Sequence, residues 1–213
     1  TSFTRQELIS IALNVGNDGN VRALVDGFDW FKDRFETDYV AAKKKIVAEL
    51  DTVLTERDWE TVQAIWNLIA QFRDEALALQ KDLTGLEPEA VQSESVTTRY
   101  GELAGGYYPL KFDRSRDLRV EKTDVKQEVQ ELHGSNWTAP MTRKGHLIER
   151  KGSGGRPVKL SLTVFSEHVQ NVIHDVSYRR AVIDVNRIIN DKAFADAFIG
   201  VAGRQMYDQL APW

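Results

Sequence analysis

Apolar positions along this chain recur mostly at steps of three and four, the signature of helices with one buried face. Thr4-Arg5-Gln6-Glu7 reads as a capping box opening a short helix that ends near Gly16. Asn17-Asp18-Gly19-Asn20 is a turn signal, and Asn20 can cap a second short helix through Val21, Leu24 and Val25, closed by Gly27. From Asp29 one longer helix is expected, with Phe31, Phe35, Tyr39, Ala42, Ile46, Leu50 and Val53 along one face. Thr55 can cap the next, whose first turn carries Glu56 and Asp58. There Val62, Ile65, Ile69, Phe72, Ala76, Leu79 and Leu83 form an a/d seam, with Trp59 and Trp66 widening its flank. Gly85 and Pro88 end this helix after roughly 40 Å. The short break at 51–55 predicts that the two long helices pair as an antiparallel hairpin. The seam then packs within the chain, or else one of its stripes also serves a partner, with Trp59 and Trp66 as the contact aromatics.

After Pro88 the period changes. The β-branched segment from Ser95 to Tyr100 reads as a strand, the glycines at 101, 105 and 106 as a turn, and Tyr107-Tyr108-Pro109-Leu110-Lys111-Phe112 as an edge or irregular return strand. A thinly apolar, charged helix is expected over 115–133, stopped by Gly134. His146-Leu147-Ile148-Glu149 and Val158-Lys159-Leu160 look like two further strands joined by a glycine-rich tip. Around that tip Arg143, Lys144, Arg150, Lys151, Arg156 and Lys159 face only Glu149, a net +5. Such a hairpin can touch a phosphate backbone without sequence preference, with Tyr107 and Tyr108 as a stacking platform. The alternative is a solvated hairpin and two tyrosines covering a core edge.

From about 162 to 190 a last long helix is expected, with Phe165, Val169, Val172, Val176 and Ile183 apolar. Beside them His168, Asn171, Asp175, Arg179 and Asn186 align along the axis, and Asp175 and Arg179 have ion-pair spacing. This polar stripe reads as a hydrogen-bonded border with a neighbouring helix, or as a recognition surface for another chain. His168 and Asp175 lie two turns apart, too far for a catalytic dyad on one helix. The four histidines lack metal-ligand spacing, and no nucleotide-binding glycine motif or nucleophile elbow occurs.

Composition narrows the class. The chain has 213 residues, enough for one sizeable core or two small ones, and no cysteine, which excludes disulfides, thiolate metal sites and a cysteine nucleophile. No apolar run approaches the ~18 residues of a spanning helix. Charge is uneven: residues 1–98 carry a net −8 and the remainder +4, so only the second half can be drawn, weakly, to nucleic acid. The run Lys43-Lys44-Lys45 is flanked by acidic residues and cannot share one helix face, so part of it is solvated. The chain opens on Thr1-Ser2-Phe3 without a leader pattern and closes on a helical pattern broken at Pro212-Trp213, so a fragment of a longer chain is expected.

The segments Gly101-Glu102-Leu103-Ala104-Gly105-Gly106-Tyr107-Tyr108-Pro109-Leu110-Lys111-Phe112-Asp113 and His168-Val169-Gln170-Asn171-Val172-Ile173-His174-Asp175-Val176 carry a resemblance, together with Arg180-Ala181-Val182-Ile183-Asp184-Val185-Asn186. They resemble a region of the large polyvalent proteins of tailed bacteriophages, long multidomain chains carried in the virion and often delivered with the genome. The likeness spans about residues 95–200. It implies a virion location, partners among other virion chains or further copies of this one, and no catalytic residues in this region.

The expected fold is mainly α. It has an N-terminal helical bundle with a long helix hairpin, a small antiparallel β element over about 95–112 and 146–160, and a long C-terminal helix. A boundary near residue 88 is expected to divide the helical part, 1–88, from a mixed part, 89–213. The leading functional expectation is a non-enzymatic virion or DNA-ejection module acting through protein contacts, without cofactor or metal. Nonspecific binding of a DNA backbone by 143–159 is the alternative.

Overall fold

In the computed structural model, residues 2–35, 38–85, 92–113 and 155–210 are described. Five helices come first: α1 (Arg5–Asn14), α2 (Asp18–Gly27), α3 (Asp29–Phe35), α4 (Tyr39–Val53) and α5 (Glu56–Thr84). A two-stranded antiparallel sheet follows, β1 (Val96–Thr98) and β2 (Gly101–Leu103), then α6 (Thr163–Ile189), α7 (Lys192–Ala202) and α8 (Arg204–Leu210). The mainly helical class, the small antiparallel sheet and the long C-terminal helix are as expected.

Local chemistry explains the boundaries. At α1 the Thr4 N–H donates to Glu7 Oε2 (2.8 Å) and the Glu7 N–H to Thr4 Oγ1 (3.3 Å), the reciprocal capping box. The cap of α2 is Asn17, not Asn20: the Asn20 N–H donates to Asn17 Oδ1 at 3.1 Å, so the helix begins inside the expected turn. Asn20 points inward instead. Its amide donates to Asn14 Oδ1 (3.0 Å) and to the Tyr108 carbonyl (2.7 Å), tying two helices to a segment far along the chain.

The single helix expected from Asp29 is two. Asp38 accepts from the Ala41 N–H at 2.9 Å and starts α4 afresh, although the apolar period runs on across the break. The partner of α5 differs as well. α4 packs on α1, α2, α3 and β1, while α5 lies along α6 and against α1. Ala76 clusters with Val172, Gln80 bonds Arg179 and Asp82 pairs with Arg180, so residue numbers rise together and α5 and α6 run in the same direction. The long hairpin between 29–54 and 55–84 is therefore replaced by a parallel pair joined through a long crossover. An a/d seam specifies that a helix has a partner face, not which helix fills it.

The strand pair sits earlier than expected. Val96 faces Leu103, Thr97 faces Glu102 and Thr98 faces Gly101, so the return strand occupies the positions expected to turn. Thr98 closes the tight link: its hydroxyl donates to the Gly101 carbonyl at 2.9 Å and accepts from the Tyr100 N–H at 3.2 Å. Residues 104–110 then run irregularly, as Pro109 demands. Phe112 forms an isolated antiparallel bridge with Val158, so the segment 158–160 meets 111–113. The helix expected at 115–133 and the strand at 146–149 lie outside the described residues.

One main core holds the molecule together. Its largest fully buried side chains include Trp59, Trp66, Tyr108, Leu13, Leu24 and Leu54. Val96, Tyr108, Leu110, Val158 and Val164 belong to it, so the boundary expected near residue 88 does not separate two cores. A second cluster, Ala76 and Val172 with Phe72, Leu77 and Val176 partly buried beside them, lies farther along the α5–α6 pair.

Candidate interaction surface

The tightest packing surrounds Trp66. Its indole N–H donates to the Leu13 carbonyl at 2.9 Å, anchoring the middle of α5 to the end of α1. The Gly16 carbonyl accepts from both the Glu94 N–H (3.0 Å) and the Gly106 N–H (3.3 Å), so three backbone segments meet there, two of them, at Gly16 and Gly106, against the tryptophan. Gly105, at φ +74°, and Gly106 permit the approach: a Cβ on Gly106 would lie 2.4 Å from Trp66 Cβ, and one on Gly105 1.8 Å from the Glu94 carbonyl oxygen. Trp59 and Trp66 are thus core residues and not partner-facing aromatics, a correction to one of the two readings of the α5 seam. Tyr108 is likewise buried, its hydroxyl donating to the Ser161 carbonyl at 3.3 Å. Burial pushes its phenol well above the usual range. A stacking platform of Tyr107 and Tyr108 is ruled out by that burial.

The polar stripe of α6 divides. His168, Asp175 and Arg179 are buried, whereas Asn171 is exposed and Asn186 half-buried. The deep face of α6 runs through Val164, His168, Val172, Asp175 and Arg179, steps of four, four, three and four, turned toward α5 and the core. Most of the positions expected to be its apolar face, Phe165, Val169, Val176 and Ile183, are only half-buried. The border is therefore real but internal. Arg179 Nη1 lies 3.8 Å from Asp175 Oδ2, and its Nη2 donates to Gln80 Oε1 on α5. The His168 ring meets Tyr107 edge-on at 6.1 Å, and Glu167 pairs with Lys111. Segments 101–113 and 168–176 thus meet in the fold.

Of the basic hairpin, Arg156 and Lys159 are described; Arg143, Lys144, Arg150 and Lys151 lie outside the described residues. Arg156 stands 5.6 Å over the Phe112 ring, and Lys159 lies 3.6 Å from Glu167. Burial raises the Glu167 carboxyl, but Lys111 and Lys159 outweigh it and leave it below the usual carboxylate range. In the lysine run, Lys43 turns onto Glu94 (3.2 Å) and Asp18 (3.9 Å), while Lys44 and Lys45 are exposed. Burial and the hydrogen bond that Asp18 donates to Glu94 lift the Asp18 carboxyl, and accepting that bond helps hold Glu94 low. Among the described residues, no group of three or more His, Asp or Glu is placed to hold a metal ion, and no helix is long and apolar enough to cross a membrane.

The feature that sequence reasoning passed over is at the end. α7 reads Lys-Ala-Phe-Ala-Asp-Ala-Phe-Ile-Gly-Val-Ala, yet neither it nor α8 has a buried residue. Phe194 stacks on Phe198 (5.7 Å), Phe198 meets Tyr207 (6.3 Å), and the Tyr207 hydroxyl donates to the Ile189 carbonyl at 2.9 Å. These contacts fasten α7 and α8 to the tip of α6, while Val201 remains 92% and Met206 52% exposed. The signal was there to find: one acidic residue among ten otherwise uncharged, mostly apolar positions is unusual for a helix facing water. Compared with models of protein families, with curated proteins and with solved structures, the chain matches none.

Proposed function

We propose that this chain is a structural module of a tailed-phage virion, or of a protein ejected with the genome, and that it works through protein contacts. The observation that carries this reading is the apolar pair α7–α8, which holds no buried residue although Phe194, Phe198, Ile199, Val201 and Met206 lie on it. A helix this apolar is stable in water only when another surface covers it. The phage assignment rests on the resemblance of 101–113, 168–176 and 180–186. The mutual packing of its first two segments supports treating them as one unit. The DNA alternative has less support, since Tyr108 is buried and Lys159 is engaged by Glu167.

Mass spectrometry of purified particles of the encoding phage tests the proposal. Peptides from this chain are expected in particles that carry packaged genomes. Their restriction to infected-cell lysate, with none in washed particles, would overturn it.

A further inference from the structure

Residues 92–94, just before β1, are held by backbone and by charge at one place. The Glu94 N–H donates to the Gly16 carbonyl at 3.0 Å, and the Asn17 side-chain amide donates to the Gln92 carbonyl at 2.8 Å. The same Gly16 carbonyl accepts from Gly106, and Gly105 backs directly on the Glu94 carbonyl. This short segment therefore connects the α1–α2 link with the glycine pair beside Trp66. Side chains complete the arrangement. Lys43 of α4 reaches Glu94 at 3.2 Å and Asp18, in the first turn of α2, at 3.9 Å. The lysine side chain is only 16% exposed, whereas the two carboxyls are about half exposed. Two acids from different parts of the chain thus converge on one largely buried ammonium.

With both carboxyls ionised, like charges lie side by side and a single lysine cannot neutralise them. One proton removes that excess and lets Asp18 donate a charge-assisted hydrogen bond to Glu94. The other charged groups facing the pair are Lys43 from α4 and Arg22 from α2, and both oppose protonation of Asp18. Burial and Glu94 outweigh them and lift the Asp18 carboxyl, while the bond from Asp18, aided by Lys43 and opposed by burial, holds Glu94 low. A carboxyl raised by folding stabilises the fold below its unfolded value, and that stability fades as pH rises through the raised value. A depressed one stabilises above its unfolded value, until pH falls through the depressed value. The two contributions coincide where the pair holds one proton.

We infer that Asp18, Glu94 and Lys43 form a proton-operated clasp, in which a single proton taken up by the carboxyl pair tightens residues 92–94 against α2 and α4 as the medium turns mildly acidic. The proton passes from solvent to Asp18, whose O–H then donates to Glu94, and it leaves by the same route. Paired native carboxylates ordinarily act the other way and loosen a fold on acidification. The clasp does not depend on the virion reading.

NMR of the full chain tests it, following the side-chain carboxyl carbons of Asp18 and Glu94 from about pH 8 to about pH 3, a range that spans ordinary carboxylates. Both carbons are expected to report one shared upper step, above the ordinary carboxylate range, followed by a lower one. Across the shared step, amide exchange at Glu94 and Gly106, corrected for the intrinsic effect of pH, should slow by about tenfold for each unit by which the step is raised. Asp18→Asn supplies a donor at every pH and should abolish the pH dependence of that protection. If this variant loses helicity in circular dichroism, Glu94→Gln takes its place with the same expected loss. Lys43→Met should move the shared step to higher pH. Carboxyls that titrate singly within the ordinary range, or protection that does not rise across the shared step, would overturn the clasp. So would a step that Lys43→Met leaves unmoved.

Discussion

Gly106 occupies a place where a methyl group has no room, because the backbone there crosses Trp66 so closely that a Cβ would lie 2.4 Å from the tryptophan Cβ. Gly106→Ala must push apart α5, the α1–α2 link and the segment 104–110 together. Overpacking of this kind costs about 1–3 kcal/mol. Urea unfolding of the variant is expected to show a lower midpoint with an unchanged slope, and an unchanged midpoint would mean that the crossing is looser than described. Asp58 acts at the same scale through charge. It accepts from the Thr55 N–H (2.8 Å) and hydroxyl (2.7 Å) and pairs with Arg5 (2.8 Å), linking α1 to the start of α5. Burial raises its carboxyl, but those donors outweigh burial and hold it below the usual range. A carboxyl depressed in the folded state stabilises the fold above its unfolded value, and that stability is lost as pH falls through the depressed value. Asp58→Asn should therefore flatten the acid limb of stability below about pH 4, the ordinary carboxylate range. An acid limb identical to wild type would contradict this role.

Among the elements, the polar layer of the α5–α6 pair decides how the two helices align. Arg179 and Asp175 are both buried, and Gln80 reaches across from α5 to complete the layer. Arg179→Met removes the cation while leaving Asp175 buried beside it, a change that costs about 3 kcal/mol or more. Adding Asp175→Leu removes the stranded charge, so the double variant should recover most of that loss in chemical denaturation. Equal stability of the single and double variants would show that the two groups are not coupled. The sequence displayed this layer as a polar stripe with ion-pair spacing, because i, i+4 geometry is local. It displayed the caps at Thr4 and Thr55 for the same reason. It did not reveal the break at Asp38, since apolar spacing continues through 35–42, nor that α6 and not α4 lies along α5. Pairing between elements distant in sequence depends on packing that no local period encodes. The glycines at 105 and 106 were visible as flexible positions, but their use for a close crossing over Trp66 required the tertiary fold.

At the scale of the molecule, two regions differ in how they are held. The bundle of α1 to α4 with the first half of α5 is closed over buried tryptophans and sealed by 92–113 and 158–164. Among the described residues, the α5–α6 arm with α7 and α8 buries few side chains and leaves Ile173, Tyr178, Val185, Ile188, Val201 and Met206 exposed. Stability should follow that division, since local opening is governed by buried contacts. The virion role proposed for the chain depends on the same contrast, a well-packed base carrying an end with exposed apolar residues. Hydrogen exchange read by mass spectrometry addresses it most directly. Amides of 192–210 should exchange fast, while those of α1 and the first half of α5 stay protected. Protection of 192–210 equal to that of the core would contradict the account.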